Sequence, residues 1–231
     1  MSDTLTLYHG SPCIVDRPRL EMGNPRNDYG RGFYCTQDFE LACEWACKRK
    51  SDGFVNSYRF ATANLKVLDL LCGQYSSLHW IALLLANREF TLGSEVARMT
   101  RDVLLERYLL DTAPYDIIIG YRADDAYFAY AEAFVENALS LEGLEKALRL
   151  GRLGEQVVLA SQPAFDAISF VEATPVSAGR YYPKFIARDS AARRGYRNKI
   201  AKQYVRDGLF ALDIVRGEKE DIDARVRRIS R

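Results

Sequence analysis

Strand-like segments fill much of the first 70 residues of this 231-residue chain and return singly among helix-spaced stretches further on, a mixed rather than strictly alternating order. Thr4 to Ser11 alternates polar and apolar residues and then meets Gly-Ser-Pro, which reads as a strand running into a turn, with His9 at its end. A Gly-, Asn- and Pro-rich loop follows to Gly32. Phe33-Tyr34-Cys35-Thr36 then reads as a second strand, and Thr36 to Glu40 supplies helix-start signals before an amphipathic helix through Leu41 and Trp45. Phe54 to Leu70 alternates as a pair of strands and breaks at Gly73.

From Ser76 to Leu110 the apolar spacing predicts two helices with a charged outer face. Tyr115 to Gly120 is a dense β-branched run, as a buried strand requires. Helical spacing returns through Phe128, Phe134 and Leu139 and again over Leu141 to Leu150, closed by Gly151. Gln156 to Ala160 is the next expected strand, Pro163 to Ala167 a short helix, and Ile168 to Ala173 a last strand. Because the order is mixed rather than strictly alternating, the expected fold is α+β, with a split, mostly antiparallel sheet and flanking helices. A line near residue 175 is expected to divide a core, 1–175, from a basic helical extension, 176–231.

A formal net charge of +1 gives no long-range field that would draw nucleic acid or a membrane, so any electrostatic argument must be local. No apolar run approaches the ~18 residues of a spanning helix, and the reading is a cytoplasmic protein without a membrane partner. The cysteines, Cys13, Cys35, Cys43, Cys47 and Cys72, are odd in number and lack paired spacing, which fits free thiols. A helix over 37–50 would put Cys43 and Cys47 on one face, where they could bind metal with His9 or Cys13. Burial explains such cysteines better without Zn-type spacing, so no metal site is expected.

His9 next to Gly10, and Tyr34 in a Gly-flanked strand, form a combination that packing alone would not select. Glycine beside a ligand lets main-chain N–H and C=O groups approach closely, and an aromatic face beside it supplies stacking. Asp124 and Asp125 follow the buried strand, where they serve either a site or a helix cap. Arg31 is a candidate for pyrophosphate contact or a solvated loop arginine. His79, beside Trp80, reads as structural.

Leu7-Tyr8-His9-Gly10-Ser11, Asp28 to Thr36, Ala42 to Ala46, Tyr115 to Asp125 and Leu153 to Leu159 resemble the DUF3990 family over roughly residues 5 to 172. The resemblance implies an ADP-ribosyltransferase-like protein, similar to toxins of bacterial toxin-antitoxin or phage-defence loci, with NAD as its substrate. It implies catalytic positions at His9, Tyr34 and Gln156. His9 would hydrogen-bond the adenosine ribose, Gly10 would hold the nicotinamide amide through its backbone, and Tyr34 would stack on the nicotinamide ring. Ser11, Arg31, Asp124 and Asp125 complete the NAD-binding set.

Gln156 stands where a carboxylate is common, with Glu155 before it and expected to point the other way on the strand. Cleaving the nicotinamide bond builds positive charge on the ribose, which a carboxylate stabilises better than a neutral amide. Three readings therefore stay open. Gln156 suffices for transfer to a good nucleophile, or Asp124, Asp125 or Glu132 supplies the charge, or the protein binds NAD without efficient turnover; the alternatives to a transferase are an NAD glycohydrolase, its simplest variant, and a non-catalytic NAD-binding module. Expected partners are NAD, a protein or nucleic-acid acceptor and a separately encoded antitoxin. Arg180 to Arg206, with nine basic residues against one acidic and Tyr181, Tyr182, Tyr196 and Tyr204 interleaved, reads as a basic helix that would dock nucleic acid or the antitoxin.

Overall fold

The structure is a computed structural model and describes residues 4–123, 125–150, 154–200 and 208–229. In chain order, β1 (Thr4–Ser11) leads through a single 3-10 turn at Leu20–Met22 to β2 (Phe33–Cys35), α1 (Phe39–Ala46), β3 (Gly53–Ala61) and β4 (Val67–Asp69). Then come α2 (Ser77–Asn87), α3 (Glu95–Tyr108), β5 (Ile117–Tyr121), α4 (Asp125–Val135) and α5 (Leu141–Leu150). The last segments are β6 (Glu155–Leu159), α6 (Gln162–Asp166), β7 (Ile168–Val176), α7 (Ala178–Lys199), α8 (Ala211–Arg216) and α9 (Lys219–Ile229). The fold is α+β, as the order of segments predicts. β7 runs three residues further than expected, and α8 and α9 lie in the stretch 176–231 expected to be helical, where the sequence reading set no separate helix bounds.

The elements form two compact units that interleave along the chain. One comprises 1–69, 112–120 and 154–188, and the other 70–111, 121–153 and 189–231. Sequence reasoning draws one contiguous line at 175 because it sees hydrophobic periodicity along the chain but not which strands will pair. β4 and β5 are parallel neighbours in one sheet although two helices separate them in sequence.

Among the described residues the strands lie in the first unit, save for Tyr121 at the end of β5. β1, β3 and β7 make one antiparallel sheet with β3 central; β2, β6, β5 and β4 make the other. Between the sheets Leu7, Cys35, Phe60, Ile117, Val157 and Leu159 bury their side chains with Phe165 of α6. On the opposite face of the first sheet, α1 packs Ala42, Cys43, Ala46 and Cys47 against Val55 and Val176. Asp38 caps α1, its carboxylate accepting from Leu41 N–H at 3.1 Å. Burial pushes the Cys43 and Cys47 thiols up, and Cys47 Sγ lies 3.8 Å from the Val176 carbonyl, so both serve as small apolar residues there. Within this unit α7 is tied to α1 by Lys184 on Glu40 at 2.6 Å and by the largely buried pair Arg188 on Glu44 at 2.7 Å. These two cations of the expected basic face are therefore spent inside the protein.

The second unit is helical. Trp80 of α2 is buried and donates its indole N–H to the Tyr121 carbonyl at 3.2 Å, and Tyr130 of α4 stacks on Tyr196 with ring centroids 4.7 Å apart. The Tyr127 hydroxyl bonds the Leu148 carbonyl. No helix of the described residues is long and apolar enough to cross a membrane.

Candidate functional site

β1 and β2 meet at one bridge. Tyr8 N–H donates to the Thr36 carbonyl at 2.7 Å, and Thr36 N–H donates to the Tyr8 carbonyl at 2.9 Å. Main-chain groups on a strand point to the same edge at every second residue. The N–H and C=O of Gly10 therefore face the edge that Tyr8 uses, and a continued antiparallel ladder would set Gly10 against Tyr34. The pairing stops instead at an isolated bridge. The Tyr34 carbonyl, which would accept from Gly10 in such a ladder, takes a hydrogen bond from His9 Nδ1 at 2.7 Å. The imidazole thus occupies the ladder's next rung, and the Gly10 main chain faces the gap between the strands.

This contact also fixes the chemistry of His9. A carbonyl oxygen can only accept, so Nδ1 carries the ring proton and Nε2 carries the lone pair. Burial lowers the His9 pKa, partly offset by the Tyr34 bond, so the ring is neutral near pH 7. Its face lies against Phe33, with centroids 4.4 Å apart.

Gly10 has a second reason to lack a side chain. A Cβ there would fall 2.1 Å from the Ala42 carbonyl oxygen and 2.6 Å from Ala46 N. Both are backbone atoms of α1, which cannot move aside cheaply. Glycine at position 10 lets a helix lie directly on the strand whose edge opens the gap.

Bridged partners share a face of a sheet, which places Tyr8, Gly10 and Tyr34 on one side and Leu7, His9, Phe33 and Cys35 on the other. Gln156 lies two residues before Val158, the partner of Tyr34, and so shares the Tyr34 side. The three positions in the expected triad accordingly approach the strand gap from two sides. Their polar atoms are engaged locally. The Tyr34 hydroxyl donates to the Gly30 carbonyl at 2.7 Å and accepts from Tyr29 N–H at 3.0 Å. Gln156 is 2% exposed and its Nε2 donates to Asp28 Oδ2 at 2.8 Å. Both side chains thus hold the turn at Asp28 to Gly30, where Gly30 takes a left-handed φ of 78°. Glu155 is exposed on the other face of β6.

Of the other expected contacts, Ser11 is buried and its Oγ accepts from Cys13 N–H at 3.2 Å, closing the turn after β1. Arg31 is exposed and donates to the Glu21 carbonyl at 2.9 Å. Asp124 lies outside the described residues, and Asp125 is the first residue of α4 in the helical unit.

Two residues that sequence reasoning missed complete the site. Asn56, fully buried opposite His9, accepts from Val15 N–H at 2.9 Å and donates to the carbonyls of His9 at 3.3 Å and Cys13 at 3.2 Å. With the Tyr58 hydroxyl on the Val15 carbonyl, it clamps the loop beside the gap. Asp28, 5% exposed, is the other. An Asn inside an otherwise apolar strand is a signal for Asn56. Asp28 sits in a polar loop, and its partner is 128 residues away in the sequence.

The DUF3990 family model, described as "Protein of unknown function (DUF3990)", matches residues 5–170. No curated protein and no solved structure matches the chain. The matched span holds β1, β2, the bridge that joins them, the Asp28 turn and Gln156, and by that match the chain belongs to the DUF3990 family.

Proposed function

We propose that this protein is an ADP-ribosyltransferase that binds NAD at the gap between β1 and β2. The observation that carries the reading is the His9 wedge. By taking the Tyr34 carbonyl, the imidazole leaves Gly10 N–H and C=O facing a gap in a sheet, and a primary carboxamide is complementary to that pair. The nicotinamide amide would accept from Gly10 N–H and donate to the Gly10 carbonyl. His9 Nε2, an acceptor in its neutral state, suits a ribose hydroxyl, and Tyr34 supplies an aromatic ring fixed at its hydroxyl end. Asp28 and Gln156 position the turn beside that ring.

In the reaction the bond from the ribose carbon to the pyridinium nitrogen breaks. Its electron pair leaves with neutral nicotinamide, and an acceptor nucleophile bonds the same carbon and loses its proton. The protein's task is to hold the two ends of NAD while positive charge grows on the ribose. A toxin role restrained by a partner protein belongs to this reading through the family resemblance.

The burial of Gln156 and its bond to Asp28 favour a second reading, a domain that binds NAD and turns it over slowly or not at all. NAD labelled on its adenine side, incubated with the pure protein with and without cell lysate, separates these readings. Label moving to protein or nucleic acid, with nicotinamide released and both lost in His9→Ala, is the expected result. Nicotinamide release alone identifies a glycohydrolase. Silence in both channels, with NAD still raising the melting temperature, favours the binding module.

A further inference from the structure

A cavity of about 340 Å³ lies wholly within the helical unit, between the start of α2, the end of α3 and the face of α9. That size falls in the ~300–1,000 Å³ range of small-molecule sites. Arg107, Lys219 and Arg227 line it against one acid, Asp223. The acid is already engaged, because Asp223 Oδ1 accepts from the Tyr108 hydroxyl at 2.8 Å and Oδ2 from Lys219 Nζ at 2.8 Å. That leaves two guanidinium groups in excess.

Arg107 is held in place by the carbonyls of Ile214 at 3.4 Å and Gly217 at 3.2 Å, which use only its NH1. The Arg227 side chain, one helical turn beyond Asp223, makes no hydrogen bond among the described residues, and its charge is among those that lower the Asp223 carboxyl against the effect of burial. The remaining wall carries Gln74, Ser76 and Val226 together with three rings: His79 stands edge-on to Tyr75 and to Tyr108, with centroids 5.4 and 5.5 Å apart. His79 Nδ1 lies 3.1 Å from Ser76 N–H and 3.3 Å from the Ser76 carbonyl at the start of α2, contacts that suit either neutral tautomer. Two guanidinium groups beside an imidazole and two tyrosine rings make a cation-rich cavity with an aromatic side.

We infer that this cavity binds a mononucleotide, with the phosphate on Arg107 and Arg227 and the base against the tyrosine rings. The site shares no residue with the strand gap and does not depend on the reading given to that gap.

Calorimetry with AMP, GMP, CMP and UMP, and with inorganic phosphate, tests it on the full chain. At least one nucleotide is expected to bind saturably, more tightly than phosphate, and more weakly as salt rises. Arg227→Gln should weaken that binding about tenfold or more without changing the melting temperature, since a hydrogen-bonded charge pair is lost. Tyr75→Ala should weaken nucleotide binding but not phosphate binding, and His9→Ala should leave both unchanged. The inference is overturned if none of the nucleotides binds, if phosphate binds as tightly as they do, or if binding survives both cavity variants. Loss of binding in His9→Ala overturns it too, by placing the nucleotide at the strand gap.

Discussion

The chain's two histidines sit one in each unit, and the main chain constrains them differently. His9 Nδ1 donates to a carbonyl across a broken ladder, whereas His79 Nδ1 has both the N–H and the carbonyl of Ser76 within reach at a helix start. Burial keeps both neutral; His9 offers a lone pair at Nε2, while His79 can present either a proton or a lone pair there. Residue type alone does not separate these roles; the backbone group within reach of Nδ1 does.

The contrast breaks most severely at Gly10. Gly10→Ala puts a methyl into the backbone of α1 and should cost about 3 kcal/mol or more in denaturant unfolding. Next is His9→Ala, which frees the Tyr34 carbonyl to pair with Gly10. Nicotinamide release should fall about a hundredfold or more, while stability changes by only about 1 kcal/mol. Gln156→Ala strips a buried carboxylate of one donor, and a loss of about 1–3 kcal/mol is expected from the same denaturation experiment. On the other side of the comparison, His79→Ala removes half of a capping box at a cost of about 1 kcal/mol, which His79→Gln should largely restore.

The smallest effect is on pH dependence. Both folded histidines have pKa values lowered from 6.5, so as pH drops below that value the unfolded chain takes up protons that the folded one refuses. The histidine contribution to stability is therefore complete above pH 6.5 and declines as pH falls towards the folded values. Thermal melts across this window should show the decline, and it should be shallower in His79→Gln.

The pieces of the fold that sequence made legible are those with a local cause. Alternation marks β1, the run Ile117-Ile118-Ile119 marks a buried strand, and Asp38 marks the start of α1. Sequence also singled out His9-Gly10 and Tyr34, where residue types conflict with simple packing. It did not reveal that Gly10 clears the path of a helix, because that depends on how α1 lies on β1. Nor did it reveal the Asp28 to Gln156 pair, whose members have no local pattern in common, or that Lys184 and Arg188 are spent on α1. The interleaving of the two units was hidden for the same reason: strand pairing is decided by contacts distant in sequence.

Docking of NAD on the Gly10 backbone is tested most directly by labelling the protein with ¹⁵N-glycine and following its amide resonances during titration with NAD. The Gly10 signal, assigned by its absence from Gly10→Ala provided that variant folds, or otherwise by selective Gly10 labelling with ¹³C-histidine at the preceding residue, should shift saturably. It should stop shifting in His9→Ala. A Gly10 signal that stays in place while NAD saturates the protein would contradict the account and move the ligand to another site.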